Sequence, residues 1–257
     1  MQIDIDSLFN VRGKVALVTG GTSGIGKMIA TVLAANGVKV YIVGRKPQAL
    51  EAAAAEIGEH GTCIPLTADL SHFEEVERLV AELSGREDKL HILINNAGNS
   101  WGQPLDEYSE SGWDRVFSLN LKGVFFLTQK LLPLLEAGGT HEDNARVISL
   151  SSVGSFVTSG NAFAYGPSKA GLEQLTRMLA RSLAGRNITV NAMSPGWYPT
   201  RMNAPLGEEA RDAWLAKTPV GRLGTIEDAG GLVIFLCSRA GAYINGRTII
   251  TDGGESL

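Results

Sequence analysis

Tyr165-Gly-Pro-Ser-Lys169 holds the pair of side chains best suited to chemistry in this sequence. On a helix, i, i+4 spacing sets the phenol and the ammonium on one face. A tyrosine near its reference pKa of about 10 is a poor acid-base group at neutral pH. A neighbouring ammonium favours the phenolate and lowers that value. Such a pair can give a proton in a carbonyl reduction or take one in an alcohol oxidation. Pro167 suits the first turn of a helix, which puts Tyr165 at a helix start, facing a cleft. Ser151 and Ser152 follow the apolar run Val147–Leu150. They therefore sit at the C-terminal end of a strand, where open α/β sheets bind ligands, and a hydroxyl there can hydrogen-bond a reacting oxygen. Asn120 lies inside the apolar stretch FSLNLKG. A buried amide needs partners: either a bond at a helix bend, or support for a water and Lys169.

A second group of residues could hold a nucleotide. The run VALVT enters GGTSGIG, with Gly20, Gly24 and Gly26 spaced as G-x-x-x-G-x-G. Glycines permit a tight turn and close approach of backbone to a pyrophosphate. The following helix offers free N–H groups and a positive dipole end. At the end of the next strand an acidic residue would bind ribose hydroxyls, and a basic one would accept a 2′-phosphate. Here Val43-Gly44 is followed by Arg45 and Lys46. A forked guanidinium and a point charge favour NADP(H) over NAD(H).

These groups need a scaffold. Apolar, β-branched runs at Val15–Thr19, Val38–Val43, Thr62–Leu66, Ile92–Ile94, Val147–Leu150, Thr189–Ala192 and Thr248–Ile250 read as strands buried on both faces, as in a parallel sheet. Helical patterns lie between them: Gly24–Asn36 (stopped by Gly37), Gln48–Ile57, Phe73–Leu83 with Ser71 as N-cap, one or two helices over Trp113–Glu136, and Ala164–Ala184. Alternating strand and helix predicts a doubly wound α/β Rossmann fold, with residues 1–257 as a single domain. The proline-rich stretch 196–223 reads as a substrate loop.

Composition narrows the function classes. The 257 residues are 44% hydrophobic and 19% charged, with net charge −4. No basic tract invites nucleic acid, and no apolar run has membrane-spanning length. The four histidines and two cysteines, Cys63 and Cys237, show no metal or redox spacing. With no secretory pattern at the N-terminus, the expected location is cytoplasmic.

Taken together, TGGTSGIG at 19–26, Asp69-Leu70, NNAG at 95–98, Asn120, Ser152, YGPSK at 165–169, Pro195-Gly196 and Thr200 resemble the short-chain dehydrogenase/reductase family over almost the whole chain. The resemblance implies a seven-stranded sheet of order 3-2-1-4-5-6-7. It implies Tyr165 as acid/base, Lys169 tuning it and binding the nicotinamide ribose, Ser152 polarising the carbonyl and Asn120 holding a relay water. It further implies a cofactor site of Gly20, Thr22, Ser23, Gly24, Ile25, Gly26, Asp69 at the adenine, Leu70, Asn96, Ala97 and Gly98 in the cleft, and Pro195, Gly196, Tyr198 and Thr200 near the nicotinamide amide. Ser23 departs from the family's NADP-dependent members, many of which are basic there, so the phosphate preference rests on Arg45 and Lys46. Within the family the chain is most similar to 3-ketoacyl reductases of the rhamnolipid-associated type, through SWG at 100–102, LLPLL at 131–135 and SRAGAYINGRTIITDGG at 238–254. Trp101, Phe156, Trp197, Tyr198, Met202 and Trp214 are large, apolar pocket candidates suited to an acyl chain. The expectation is NADPH-dependent reduction of a 3-ketoacyl thioester or similar ketone by a homo-oligomer, with a tetramer favoured through the long helices at 113–136 and 164–184. The alternatives are a dehydrogenase of a polyol, sugar acid or steroid alcohol, and a non-catalytic nucleotide sensor.

Overall fold

Every residue of Val15–Thr19 (β1) is buried, because its two faces meet two separate cores. Ala16 and Val18 point to one side, Val15 and Leu17 to the other. In the computed structural model, which describes residues 4–158, 160–200 and 207–257, all pairings found within the sheet are parallel. The strands are β1, Lys39–Gly44 (β2), Cys63–Thr67 (β3), Ile92–Asn95 (β4), Ala145–Leu150 (β5), Ile188–Pro195 (β6) and Thr248–Thr251 (β7). Their order is 3-2-1-4-5-6-7. The order in which strands are added reverses between β1 and β4, which opens the crevice where such sheets bind nucleotides.

The helices are Ile5–Phe9 (α1), Gly24–Ala35 (α2), Pro47–Gly58 (α3), Phe73–Ser84 (α4), Glu110–Phe117 (α5), Val124–Lys130 (α6), Leu132–Gly138 (α7), Tyr165–Leu183 (α8), Gly207–Lys217 (α9) and Ile226–Cys237 (α10). One core holds α2, α3 and α10 side chains, among them Leu33, Leu50 and Val233. The opposite one takes Leu79 of α4, Leu127 of α6, Leu135 of α7 and Leu183 of α8. The stretch expected as one or two helices over 113–136 is three, α5, α6 and α7, with a π-helical turn at Ser118–Gly123 between the first two. His72, not Ser71, stands at the N-cap of α4, because the Ser71 hydroxyl is held by Asp69 Oδ1 at 2.6 Å. The helical patterns read from the sequence do not include α10. Gly230 is required there: a Cβ would lie 2.4 Å from Val32 Cγ2 of α2.

At the foot of the sheet the His91 ring bridges two strands. Its Nδ1 accepts the Val15 N–H at 2.9 Å, and burial, the largest influence, pulls its pKa below the usual histidine value. Only the neutral ring can accept that bond. Stability is therefore full above the unfolded-state value of about 6.5 and falls as pH drops below it. Urea unfolding at pH 7.5 and pH 5.5 should show this loss, and His91→Gln should shrink the difference. An unchanged difference would remove His91 from the account.

Candidate active site

The helix carrying Tyr165 begins at that residue, so the phenol opens the first turn and Pro167 falls within it. Gly166 lets α8 approach the turn after β5, since a Cβ there would lie 2.9 Å from Gly154 O. That approach brings Ser152 to Tyr165. Ser152 Oγ accepts the Gly154 N–H at 3.1 Å, and a Cβ on Gly154 would meet both Ser152 Oγ (3.4 Å) and Tyr165 Cε1 (3.5 Å). The two serines differ in their bonding. Ser151 Oγ is engaged by Glu173 Oε1 at 2.8 Å, while the Ser152 hydroxyl faces the phenol.

Lys169 is buried one turn along α8. Its Nζ donates to Leu150 O at 2.6 Å and lies 5.7 Å from the Tyr165 ring centroid. Burial brings the ammonium down to about 8. The expected lowering of Tyr165 is not what this arrangement produces. Burial pushes the phenol up, and the Ser152 hydrogen bond pulls it part-way back. Low polarity penalises the phenolate more than these neighbours stabilise it. The phenol therefore stays protonated at neutral pH, ready to act as an acid.

Asn120 is wholly buried in the π-helical turn. Its Oδ1 accepts Asn99 N–H at 2.9 Å, and its Nδ2 donates to Asn99 O (3.0 Å) and Ser168 Oγ (3.1 Å). The side chain is a bracket between the loop after β4 and α8. Gly98 completes the meeting point: a Cβ would lie 3.3 Å from Asn120 Oδ1 and 3.5 Å from Lys169 Nζ.

The glycine turn is a cradle in which added side chains do not fit. Gly20 and Gly24 have φ of +67° and +57°, in the left-handed region. Gly26 has no room, with Asn96 Nδ2 at 2.2 Å and Gly20 O at 2.5 Å from a Cβ. Gly21, which the motif reading passed over, is as tight against Ile42 at 2.6 Å. Ser23 N-caps α2 in extended backbone with no side-chain cap bond, leaving the helix N-terminus open beside the cradle. The Asn96 amide is bonded within the turn itself. Nδ2 donates to Thr19 O (2.8 Å) and Gly20 O (3.2 Å), while the Asn96 and Ala97 N–H groups both reach Thr19 Oγ1 at 2.9 Å. Asn96 thus holds the turn in shape. Thr200 closes over it, its Cγ2 lying 3.1 Å from where a Gly24 Cβ would be. Thr22 packs on Gly44, Ile25 packs on the core, and Leu70 is buried behind Asp69. Arg45 and Lys46 are exposed beside that cradle. Arg45 Nη1 makes only a long 3.6 Å pair with Asp69 Oδ2, whose carboxyl is held low by Ser71 hydrogen bonds and Arg45 against the opposing effect of burial. An exposed pair of that length leaves the guanidinium available to a phosphate.

The pocket candidates divide. Trp101 is fixed by Gln103 through its indole N–H at 2.8 Å and by the Arg115 guanidinium over its ring. Its loop is tied to the residues just before Tyr165, with Gln103 N–H on Asn161 O and Ala164 N–H on Tyr108 Oη. Phe156, half exposed, ends the 3-10 turn that follows Ser152. Trp197 and Trp214 stack on each other at 5.5 Å and 6°, and Glu255 accepts the Trp214 indole N–H. They pack the expected substrate loop, whose later part is the helix α9. The Tyr198 ring is buried in the core against Gly224, where a Cβ would lie 2.4 Å from Tyr198 Cζ. Pro195 ends β6, and Gly196 just after it is pressed on Asp252. Met202 lies outside the described residues. Among the described residues, no group of three His, Cys, Asp or Glu side chains could hold a metal ion.

A family model of short-chain alcohol dehydrogenases, described as enoyl-(acyl carrier protein) reductase, matches residues 20–256. The rhamnolipids biosynthesis 3-oxoacyl-[acyl-carrier-protein] reductase of Pseudomonas aeruginosa is 44% identical over 252 residues, covering 97% of this chain and 98% of that one. The chain belongs to the short-chain dehydrogenase/reductase family. The solved Pseudomonas aeruginosa RhlG/NADP active-site complex superposes on this oxidoreductase with TM-score 0.94 at 43% identity, covering 98% and 99% of the two chains. The 3-oxoacyl-[acyl-carrier-protein] reductase FabG of Aquifex aeolicus is 37% identical over 253 residues, covering 95% and 98%. Beyond the family's motifs this dehydrogenase/reductase carries Glu173, which sequence reasoning missed. Its signal was spacing: Tyr165, Lys169 and Glu173 recur every four residues on one helix face.

Proposed function

We propose that this enzyme uses NADPH to reduce a 3-ketoacyl thioester, or a similar apolar ketone, to the secondary alcohol. The observation that carries the reading is one constellation: Ser152, a protonated Tyr165 and a buried Lys169 at the C-terminal end of β5, beside a glycine cradle flanked by exposed Arg45 and Lys46. The cradle fits a dinucleotide because side chains are excluded where a pyrophosphate would lie and a helix N-terminus faces the same space. When bound, the cofactor supplies the hydride to the carbonyl carbon. Ser152 Oγ–H and Tyr165 Oη–H both donate to the carbonyl oxygen, and Tyr165 passes its proton to that oxygen as negative charge develops. The Lys169 cation stabilises the phenolate left behind, and Asn120 keeps the β4 loop and α8 in register. The substrate class is supported by the named reductases above and by Trp101 and Phe156 on the loops flanking Tyr165.

Spectrophotometric assay of NADPH oxidation over a panel of 3-ketoacyl thioesters, sugar acids, polyols and steroid ketones tests this. Turnover should be greatest on the thioesters; preference for a polyol or sugar acid would overturn the substrate assignment. Arg45→Ala should weaken NADPH binding by about 10- to 100-fold, as loss of charge-assisted phosphate bonds does, and leave NADH binding nearly unchanged. Equal losses for both would contradict the phosphate role.

We further propose a homotetramer of single-domain subunits in the cytoplasm. Partly exposed Trp113 on α5 and Met178 on α8 (39% and 59%) are apolar surface that subunit pairing would cover. Sedimentation equilibrium should give four times the chain mass. No helix among the described residues is long and apolar enough to cross a membrane.

A further inference from the structure

Glu173 lies two turns beyond Tyr165 on α8 and takes no part in the steps above. One of its oxygens, Oε1, accepts both Ser151 Oγ at 2.8 Å and Ser155 Oγ at 2.6 Å. Those serines flank Ser152 and the 3-10 turn Val153–Ser155 on either side. Ser151 also reaches Lys169 O at 3.4 Å, so strand end, turn and helix are joined at one point. Ser152 Oγ accepts the Gly154 N–H within the turn and lies against the Tyr165 phenol. Its aim toward Tyr165 therefore depends on what fixes the turn to α8. We propose that Glu173 is a positioning residue, whose carboxylate clamps Ser151 and Ser155 so that the Ser152 hydroxyl is held against the reacting oxygen. The proposal rests on the reductase reading for its kinetic consequence, but the clamp can be tested apart from it.

A carboxylate accepting two hydroxyls makes charge-assisted bonds, about twice as strong as neutral ones. Misplacing a catalytic group by about 1 Å costs about 100-fold in rate. Glu173→Ala should lower kcat for the ketone by about 10- to 100-fold on that basis, with NADPH affinity, read by fluorescence titration, little changed. Glu173→Gln keeps an acceptor oxygen and should recover most of the lost kcat. Because Glu173 acts through Ser152, the double variant Glu173→Ala/Ser152→Ala should be no slower than Ser152→Ala alone. Multiplying defects, or a Gln variant as slow as the Ala variant, would overturn the clamp.

Amide exchange gives a reading that needs no substrate. The turn's own bonds are Ser155 N–H to Ser152 O (2.9 Å), Phe156 N–H to Val153 O (3.1 Å) and Val157 N–H to Val153 O (2.8 Å). In Glu173→Ala these three amides should exchange faster while those of β1 and α2 do not. Unchanged exchange there refutes the proposal even if the enzyme reduces ketones. If the wild type reduces none, the reductase reading fails while this measurement still decides the clamp.

Discussion

Replacing Tyr165 by Phe should reduce ketone turnover by about 100- to 10,000-fold, the range a positioned general acid contributes. The ring and its burial remain, so NADPH affinity should stay near that of the wild type. Only the proton donor is lost: Ser152 can still polarise the carbonyl but cannot be recharged from Lys169, whose ammonium is turned to Leu150 O. The pH dependence of reduction follows from the same two groups. Tyr165 is raised, so it remains protonated through neutrality. Lys169 loses its charge near about 8. The reduction rate should be level at neutral pH and fall as pH rises through about 8, because the phenolate then forms without its counter-charge. Normal turnover by Tyr165→Phe would remove Tyr165 as the acid. A rate that climbs with pH through that region would contradict the assignment of the charge to Lys169.

The second large effect lies in the cradle. In Gly26→Ala the new methyl would stand 2.2 Å from Asn96 Nδ2 and 2.5 Å from Gly20 O. The second neighbour is main chain and cannot swing aside. Asn96 must then release Thr19 O and Gly20 O, and the turn loses its shape. Overpacking of this kind costs about 1–3 kcal/mol, which corresponds to roughly 5- to 150-fold weaker NADPH binding if the strain falls on the binding-competent turn. Gly231→Ala is the matching control. It lies in α10 with nothing within 4 Å of a Cβ, and should stabilise the protein by about 0.5–1 kcal/mol with no effect on cofactor. Calorimetric titration and thermal unfolding of both variants would check the pair. NADPH affinity retained by Gly26→Ala would mean the turn does not cradle the cofactor.

The sheet was legible in the sequence because strands buried on both faces carry unbroken apolar runs, and each expected run lies within or beside an observed strand. The glycine turn was legible because only glycine serves at Gly20 and Gly24. What stayed hidden depended on tertiary contact. The need for Gly230 in α10 shows only once Val32 of α2 is packed against it. A Thr225-to-Asp228 capping box, T-x-x-D before an apolar run, was the sequence signal for α10. Tyr198 reads as a pocket aromatic, but Gly224 opens a place for it in the core. Asn96 reads as a residue of the cleft, but the sequence does not show that its amide donates to Thr19 O and Gly20 O. The direction of the Tyr165 shift depends on burial against a nearby charge, and spacing along a helix shows the charge alone. The stacking of Trp197 on Trp214 depends on where α9 lies, which spacing along the chain does not show.

The central claim is that this site delivers a hydride from a nicotinamide to a ketone. Reaction of the enzyme with NADPH carrying deuterium at both C4 positions and a 3-ketoacyl thioester, followed by mass spectrometry of the product, tests it most directly. The account predicts a 3-hydroxyacyl thioester with one deuterium on the former carbonyl carbon. Product lacking that deuterium, or no product while NADPH remains bound, would contradict it.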